Sequence, residues 1–138
     1  MVIRNYDDED FPQVEELLKK SGIYWPAYDR REILKKKIDN DPESIIVAEE
    51  NGKVVGTIFF VYDPWSSYIL HLAVDAEHRN KGIGTRLFQT AEQRLKARGK
   101  KIVAGFIKEE NESVLDYCKK RGYYVSGKVF FMNKIIIS

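Results

Sequence analysis

Val74-Asp75-Ala76-Glu77-His78-Arg79-Asn80-Lys81-Gly82-Ile83-Gly84-Thr85 is the stretch on which the reading of this chain turns. Ahead of it, residues 68–74 form an apolar run that suits a central strand. Behind it, Ile83, Leu87, Ala91 and Leu95 recur at helical spacing, and Gly99 is a natural stop for a helix that reaches about Arg98. The stretch is therefore a strand-to-helix turn with two glycines at the mouth of the helix. Such a turn aims backbone N–H groups and the positive end of the helix dipole at one place, which is what a pyrophosphate requires. Gly82 and Gly84 let the backbone approach an anion with no Cβ in the way. Thr85 adds a hydroxyl, and Arg79 and Lys81 add positive charge. A P-loop would need Gly-x-x-x-x-Gly-Lys-Ser/Thr, and a dinucleotide fingerprint would need glycine or alanine where Leu87 stands; the chain has neither. On its glycines alone, the stretch is equally well a plain connection before a helix.

Working outward, Val2-Ile3-Arg4 is a short strand candidate, and Asp8 or Asp10 can cap a helix with Pro12 in its first turn. Phe11, Val14, Leu17 and Leu18 mark its buried stripe. An aromatic loop follows Gly22, and Asp29 can cap a second helix carrying Ile33, Leu34 and Ile38. Residues 44–49 and 54–62 read as two strands joined at Asn51-Gly52, a strong hairpin signal. After the long helix, residues 101–107 read as a strand and 111–121 as a helix closed by Gly122. Residues 123–125 and 129–137 read as a last hairpin around Ser126-Gly127. The order β-α-α-β-β-β-α-β-α-β-β describes an α/β chain with a mixed sheet of six or seven strands and about four helices, in one domain over 1–138.

The length of 138 residues fits one domain that needs no staple. Cys118 is the only cysteine, so no internal disulfide can form. His71 and His78 are the only histidines, and no cluster has metal-site spacing. The net charge of +2 argues against a dedicated nucleic-acid partner. No apolar run approaches a membrane span, and the start of the chain turns polar too soon for a signal peptide, so a soluble cytoplasmic protein is the default expectation.

The stretch from Val74 to Thr85 resembles the acetyl-CoA signature of the GNAT N-acetyltransferase superfamily, Gln/Arg-x-x-Gly-x-Gly/Ala between a strand and a helix. Asn111-Glu112-Ser113-Val114, with Gly122-Tyr123 placed 11 residues after Asn111, resembles the family's later helix motif. The element order matches nearly end to end. The resemblance implies a GNAT fold and acetyl-CoA as co-substrate. Leu72, Ala73 and Val74 would meet the pantetheine arm through their backbone, between two strands that splay. Asn80, Lys81, Gly82, Ile83, Gly84 and Thr85 would cradle the pyrophosphate beside Arg79, and Asn111 would bond the arm from the other side. Asn111 is also a natural helix N-cap, and the two roles are compatible.

The reaction implied is direct attack of a neutral amine on the acetyl thioester, which needs a proton taken from the amine and one given to the thiolate. Family members commonly carry a glutamate where this chain has Tyr68, or, in another subgroup, where it has Phe106. The family's acidic tyrosine position holds Cys118, with Tyr117 one step early and turned by about 100° on a helix. Tyr68 and Cys118 are accordingly the candidate catalytic side chains, although Tyr68 also reads as strand packing and Cys118 as a small core residue. Strand alternation puts His71 on the face opposite Tyr68 unless a bulge intervenes, which makes it a poor base candidate. Without a glutamate, acceptors of low pKa are expected to be preferred. Tyr24, Trp25, Tyr28 and Trp65 are the candidate acceptor-binding residues, around a small-molecule amine or a peptide N-terminus. The same aromatics could equally be core or subunit contacts, so a homodimer is compatible with the sequence. A second functional class also fits: a GNAT-like module that binds acyl-CoA without turnover.

Overall fold

The computed structural model describes residues 1–137. The chain forms two compact units, Met1–Gly105 and the part from Phe106 onward.

The first unit holds a four-stranded sheet in the order β1-β2-β3-β4: β1 (Val2–Asn5), β2 (Ile45–Glu50), β3 (Lys53–Val61) and β4 (Tyr68–Val74). Every neighbouring pair is antiparallel. Asn51 and Gly52 turn the β2–β3 hairpin with φ of 52° and 76°, the two left-handed residues that a tight hairpin needs. Three helices precede β2: α1 (Phe11–Lys20), the short α2 (Pro26–Asp29) and α3 (Arg31–Asn40). A fourth, α4 (Ile83–Ala97), follows β4.

Residues 54–60 of β3 are buried throughout, because helices cover both faces of the strand. On one face, Phe59 joins Val14, Leu17 and Leu18 of α1, Leu34 of α3, and Ile45 and Val47 of β2 in a single core. On the other, Gly56 faces α4. A Cβ on Gly56 would stand 3.0 Å from Leu87 Cδ1 and 3.1 Å from Ile83 Cγ2, so the missing side chain lets the first turns of α4 lie close on the sheet. The far end of α4 is fastened by Arg98. It meets Asp41 through two bonds of 2.6 and 2.9 Å and lies over the Phe60 and Tyr62 rings.

Several expectations from the sequence need correction. Among the described residues the sheet has four strands rather than six or seven, and five α-helices stand where about four were expected. Residues 101–107 do not form a strand. They meet β4 in one parallel bridge, Tyr68 to Ala104, with Ile69 N–H donating to Ala104 O and Ala104 N–H donating to Ser67 O. The parallel strand–helix–strand crossover is thus present only as this bridge. Gly105 follows at once, and glycine weakens a strand because it loses more backbone freedom and has no side chain to pack.

In the second unit the assigned element is α5 (Glu112–Lys120), closed by Gly122 at φ 96°. Residues 123–137 form no strand, and Tyr124, Phe130, Met132 and Ile136 are exposed. The Ser126-Gly127 pair is a weak hairpin signal: the favoured two-residue turns want Gly, Asn or Asp first, and here serine takes that place.

Candidate active site

The turn after β4 is held by its own residues. Asp75 N–H donates to Val55 O at 2.8 Å, and a single 3-10 turn, Ala76–His78, follows. His78 Nδ1 lies 2.7 Å from Asp75 Oδ2, and this bond holds the Asp75 carboxyl below its usual range. His78 Nε2 stands 3.8 Å from Glu50 on β2. Arg79 Nε reaches back to Val74 O at 3.3 Å. The chain then passes through two left-handed residues, Asn80 at φ 63° and Gly82 at φ 80°, and enters α4 with Gly82 as N-cap. Gly82 has no side chain to cap the helix, and the first intrahelical bond runs from Arg86 N–H to Gly82 O. Arg79, Asn80, Lys81 and Gly82 are exposed, while Ile83 is buried against Gly56. The result is an open helix N-terminus rimmed by two cations, fixed to the sheet from below. Chemically, such an arrangement suits an anion.

The middle of β4 departs from a regular strand. Thr57 pairs with Ala73 and Phe59 with Leu70, so two steps on β3 match three on β4. The extra residue falls at His71 and Leu72, and His71 has φ 58°, a left-handed conformation that costs a non-glycine residue on the order of 1–3 kcal/mol. Phe59 shares its face with its partner Leu70 and, by alternation, with Tyr68. The His71 ring lies 5.0 Å from the Phe59 ring, centroid to centroid. The bulge therefore turns His71 onto the face of Tyr68, and the expectation that it points away is overturned.

There His71 meets a partner that the sequence analysis took for a helix cap. Asp29 is the last residue of α2 and does not cap α3, whose N-cap is Arg30. It is 2% exposed. Both its oxygens lie 2.9 Å from His71 Nε2, and Oδ2 also accepts the Trp25 N–H at 2.8 Å. The His71 side chain remains 19% exposed. Trp25, the N-cap of α2, and Tyr28 within it are 40% and 49% exposed and pack edge to face at 4.8 Å.

The other expected site residues divide by location. Leu72, Ala73 and Val74 lie on β4, the edge strand of the four-stranded sheet, directly after the bulge. Tyr68 opens the same strand and is half-buried. Tyr24 packs against the core with Lys19 Nζ 4.9 Å above its ring, so it is a wall residue more than an open one. Trp65 stands 86% exposed at the tip of the turn before β4, where its N–H bonds Asp63. Its ring contacts no other described ring, so Trp65 does not join the Trp25–Tyr28 cluster. In the second unit, Asn111 is the N-cap of α5 by position, but its side chain makes no capping bond. Cys118 is buried and in no disulfide, as a small core residue would be. Phe106 is exposed. Among the described residues no group of three or more His, Cys, Asp or Glu side chains could hold a metal ion.

A sequence model of the acetyltransferase (GNAT) family matches residues 5–123. An acetyltransferase of Photorhabdus laumondii is 32% identical over 123 residues, covering 89% of this chain and 86% of that protein. Among solved structures, an N-acetyltransferase from Staphylococcus aureus Mu50 superposes with a TM-score of 0.76 at 26% identity, covering 91% of this chain and 84% of that one. The PaiA N-acetyltransferase from Thermoplasma acidophilum, solved in complex with coenzyme A, superposes with a TM-score of 0.78 at 19% identity, covering 93% of this chain and 92% of that one.

Proposed function

Because the chain belongs to the acetyltransferase (GNAT) family, we propose that it moves an acetyl group from acetyl-CoA to a primary amine by direct attack on the thioester. The observation that carries the donor assignment is the anion cradle between Val74 and Thr85. An uncapped, solvent-open helix N-terminus with Arg79 and Lys81 at its rim suits a pyrophosphate. Gly84, one residue into the helix, keeps side-chain bulk away from the oxygens.

The rest of the donor would run along β4. The strand is an edge of its sheet, and the 101–105 segment meets it only at its start, at Tyr68 and Ile69. Leu72, Ala73 and Val74 would offer backbone groups to the amides of the pantetheine arm, as an added strand would. The same backbone N–H groups would stabilise the oxyanion that forms when the amine attacks. Coenzyme A in the PaiA structure supports an acyl-CoA donor for this fold.

The acceptor is an amine of a small molecule or a peptide N-terminus, met by the exposed rings of Trp25 and Tyr28, with Tyr24 and Trp65 as further candidate contacts. Aromatic faces of this kind attract a cation before it loses its proton.

Two measurements test this reading. Isothermal titration should show acetyl-CoA binding at one site. Intact-mass analysis of a panel of amines and N-terminal peptides, incubated with protein and acetyl-CoA, should show an acetylated product. Binding without any acetylated product, and without thioester hydrolysis above background, would contradict transfer.

A further inference from the structure

We infer that His71, held by the buried carboxylate of Asp29, is the general base that takes the proton from the acceptor amine; this rests on the acetyl-transfer reading above. The sequence offered no base, since Tyr68 and Phe106 stand where glutamates are usual. The structure supplies one from a residue that strand alternation points elsewhere.

Four observations converge on it. His71 occupies a left-handed backbone position in the middle of a strand, at φ 58°. Strain of this kind persists only where surrounding structure over-determines it, and it concentrates where a side chain must be aimed. Second, the ring is aimed at a carboxylate that is 2% exposed, with both Asp29 oxygens 2.9 Å from Nε2. A carboxylate only accepts, so Nε2 carries the hydrogen, and in the neutral ring the lone pair is on Nδ1. Third, Nδ1 makes no hydrogen bond or ion pair with any described residue, while the side chain keeps 19% of its surface open. Fourth, Asp29 also accepts the N–H of Trp25 at 2.8 Å. One carboxylate thus orients both the base and the loop that carries the acceptor-facing aromatics. His71 immediately precedes Leu72, where the proposed thioester arm begins its run along β4.

The step balances as follows. The acceptor ammonium gives one proton to His71 Nδ1. The freed amine nitrogen attacks the thioester carbonyl carbon, forming the C–N bond and an oxyanion. Collapse breaks the C–S bond, the second amine proton goes to the departing sulfur, and His71 returns its proton to solvent. Asp29 keeps its bond to Nε2 and serves as a positioning residue. The expected preference for low-pKa amines rested on the absence of a base, and a base at His71 removes that premise.

The substitution that separates a base from a structural strut is His71→Gln. Its amide N–H can still donate to Asp29, but no lone pair remains at the Nδ1 position. We expect kcat to fall about 100-fold or more, the usual worth of a positioned base, with acetyl-CoA affinity by titration unchanged. His71→Gly suits the left-handed backbone and leaves room for an imidazole; added imidazole should restore activity in proportion to its concentration. Asp29→Asn should lower kcat by about 10-fold or more without changing acetyl-CoA affinity. If His71→Gln keeps kcat within about threefold, or if folded His71→Gly gains nothing from imidazole, His71 is not the base. Should His71→Gln fail to fold, the imidazole response of His71→Gly decides alone. Failure of the acetyl-transfer reading looks different, since wild-type protein would then form no acetylated product at all.

Discussion

Strand β4 is worked from two sides that are built in opposite ways. At its C-terminal end, the cradle is assembled from twelve consecutive residues, 74–85. Its glycines, its left-handed Asn80 and its cations are all neighbours in the chain. At its middle, the base is assembled from His71 and a carboxylate 42 residues earlier, and it exists only because a bulge turns one side chain and a short helix delivers the other. Binding an anion needs backbone amides, which any well-placed helix start provides. Moving a proton needs two particular side chains at hydrogen-bond distance, which only tertiary structure provides.

The largest effect should come from breaking the local side. In Gly84→Val, a branched side chain enters the first turn of α4, where the pyrophosphate oxygens are proposed to lie. We expect acetyl-CoA affinity to drop about 100-fold or more with the fold retained, because close backbone–anion contact tolerates no Cβ substituent. Isothermal titration measures it, and unchanged affinity would put the donor somewhere else.

A second substitution asks whether the cradle is as local as it looks. Gly56 lies on β3, and a side chain there would collide with Leu87 and Ile83 at the start of α4. Gly56→Val should cost about 1–3 kcal/mol of stability by overpacking, and acetyl-CoA affinity should fall several-fold as the helix start is pushed off the sheet. Thermal unfolding and titration read the two effects separately. Lost stability with full affinity would show that the loop keeps its shape without the sheet beneath it.

The same contrast explains what could be read from the sequence. Strand β4 was legible to the residue, because an apolar run followed by a glycine turn leaves little choice. The Asn51-Gly52 hairpin and the long helix ending before Gly99 were legible for the same reason: each is signalled by neighbours in the chain. Asp29 was misread as a helix cap. Aspartate ahead of a helical pattern usually is one, and nothing near it in the chain announces a histidine 42 residues on. The bulge at His71 left no signal either, since its residues are ordinary strand formers on both sides. Gly56 could have been suspected, as glycine inside a strand often marks a close approach of something else. The strands expected at 101–107, 123–125 and 129–137 rested on composition, and β-rich composition does not supply a partner for the ladder.

On the acceptor side the expected effects are smaller. Trp25 and Tyr28 are exposed rings at the start of, and within, the helix that ends in Asp29. Trp25→Ala removes a ring but leaves the backbone N–H that Asp29 accepts, so His71 should stay oriented. The acceptor KM should rise about fivefold, the scale of one exposed cation–aromatic contact, with kcat and acetyl-CoA affinity little changed. Steady-state kinetics with a saturating donor provides the measurement. A fall in kcat with no change in acceptor KM would mean that Trp25 acts through Asp29 and not on the acceptor.

The smallest expected effect concerns a residue that could undo the division of labour altogether. Cys118, on α5, is the only thiol in the chain. If it carried the acetyl group as a thioester, the amine would attack the enzyme and not the donor, and the chemistry would belong to neither side of β4. Its setting argues against this. The side chain is buried, and a buried cysteine on a helix ordinarily serves as a small apolar filler. A direct attack also needs no nucleophile from the protein, since the thioester is already activated and the cradle and the base can each act in one step. Cys118→Ala should therefore keep kcat within about twofold and cost on the order of 1 kcal/mol in stability for the lost sulfur. Wild-type protein incubated with acetyl-CoA and no acceptor should show no acetyl adduct in an intact-mass spectrum. An acetyl-cysteine at position 118, formed and then discharged when an amine is added, would replace direct attack by a two-step route and leave His71 deprotonating the amine for a different electrophile.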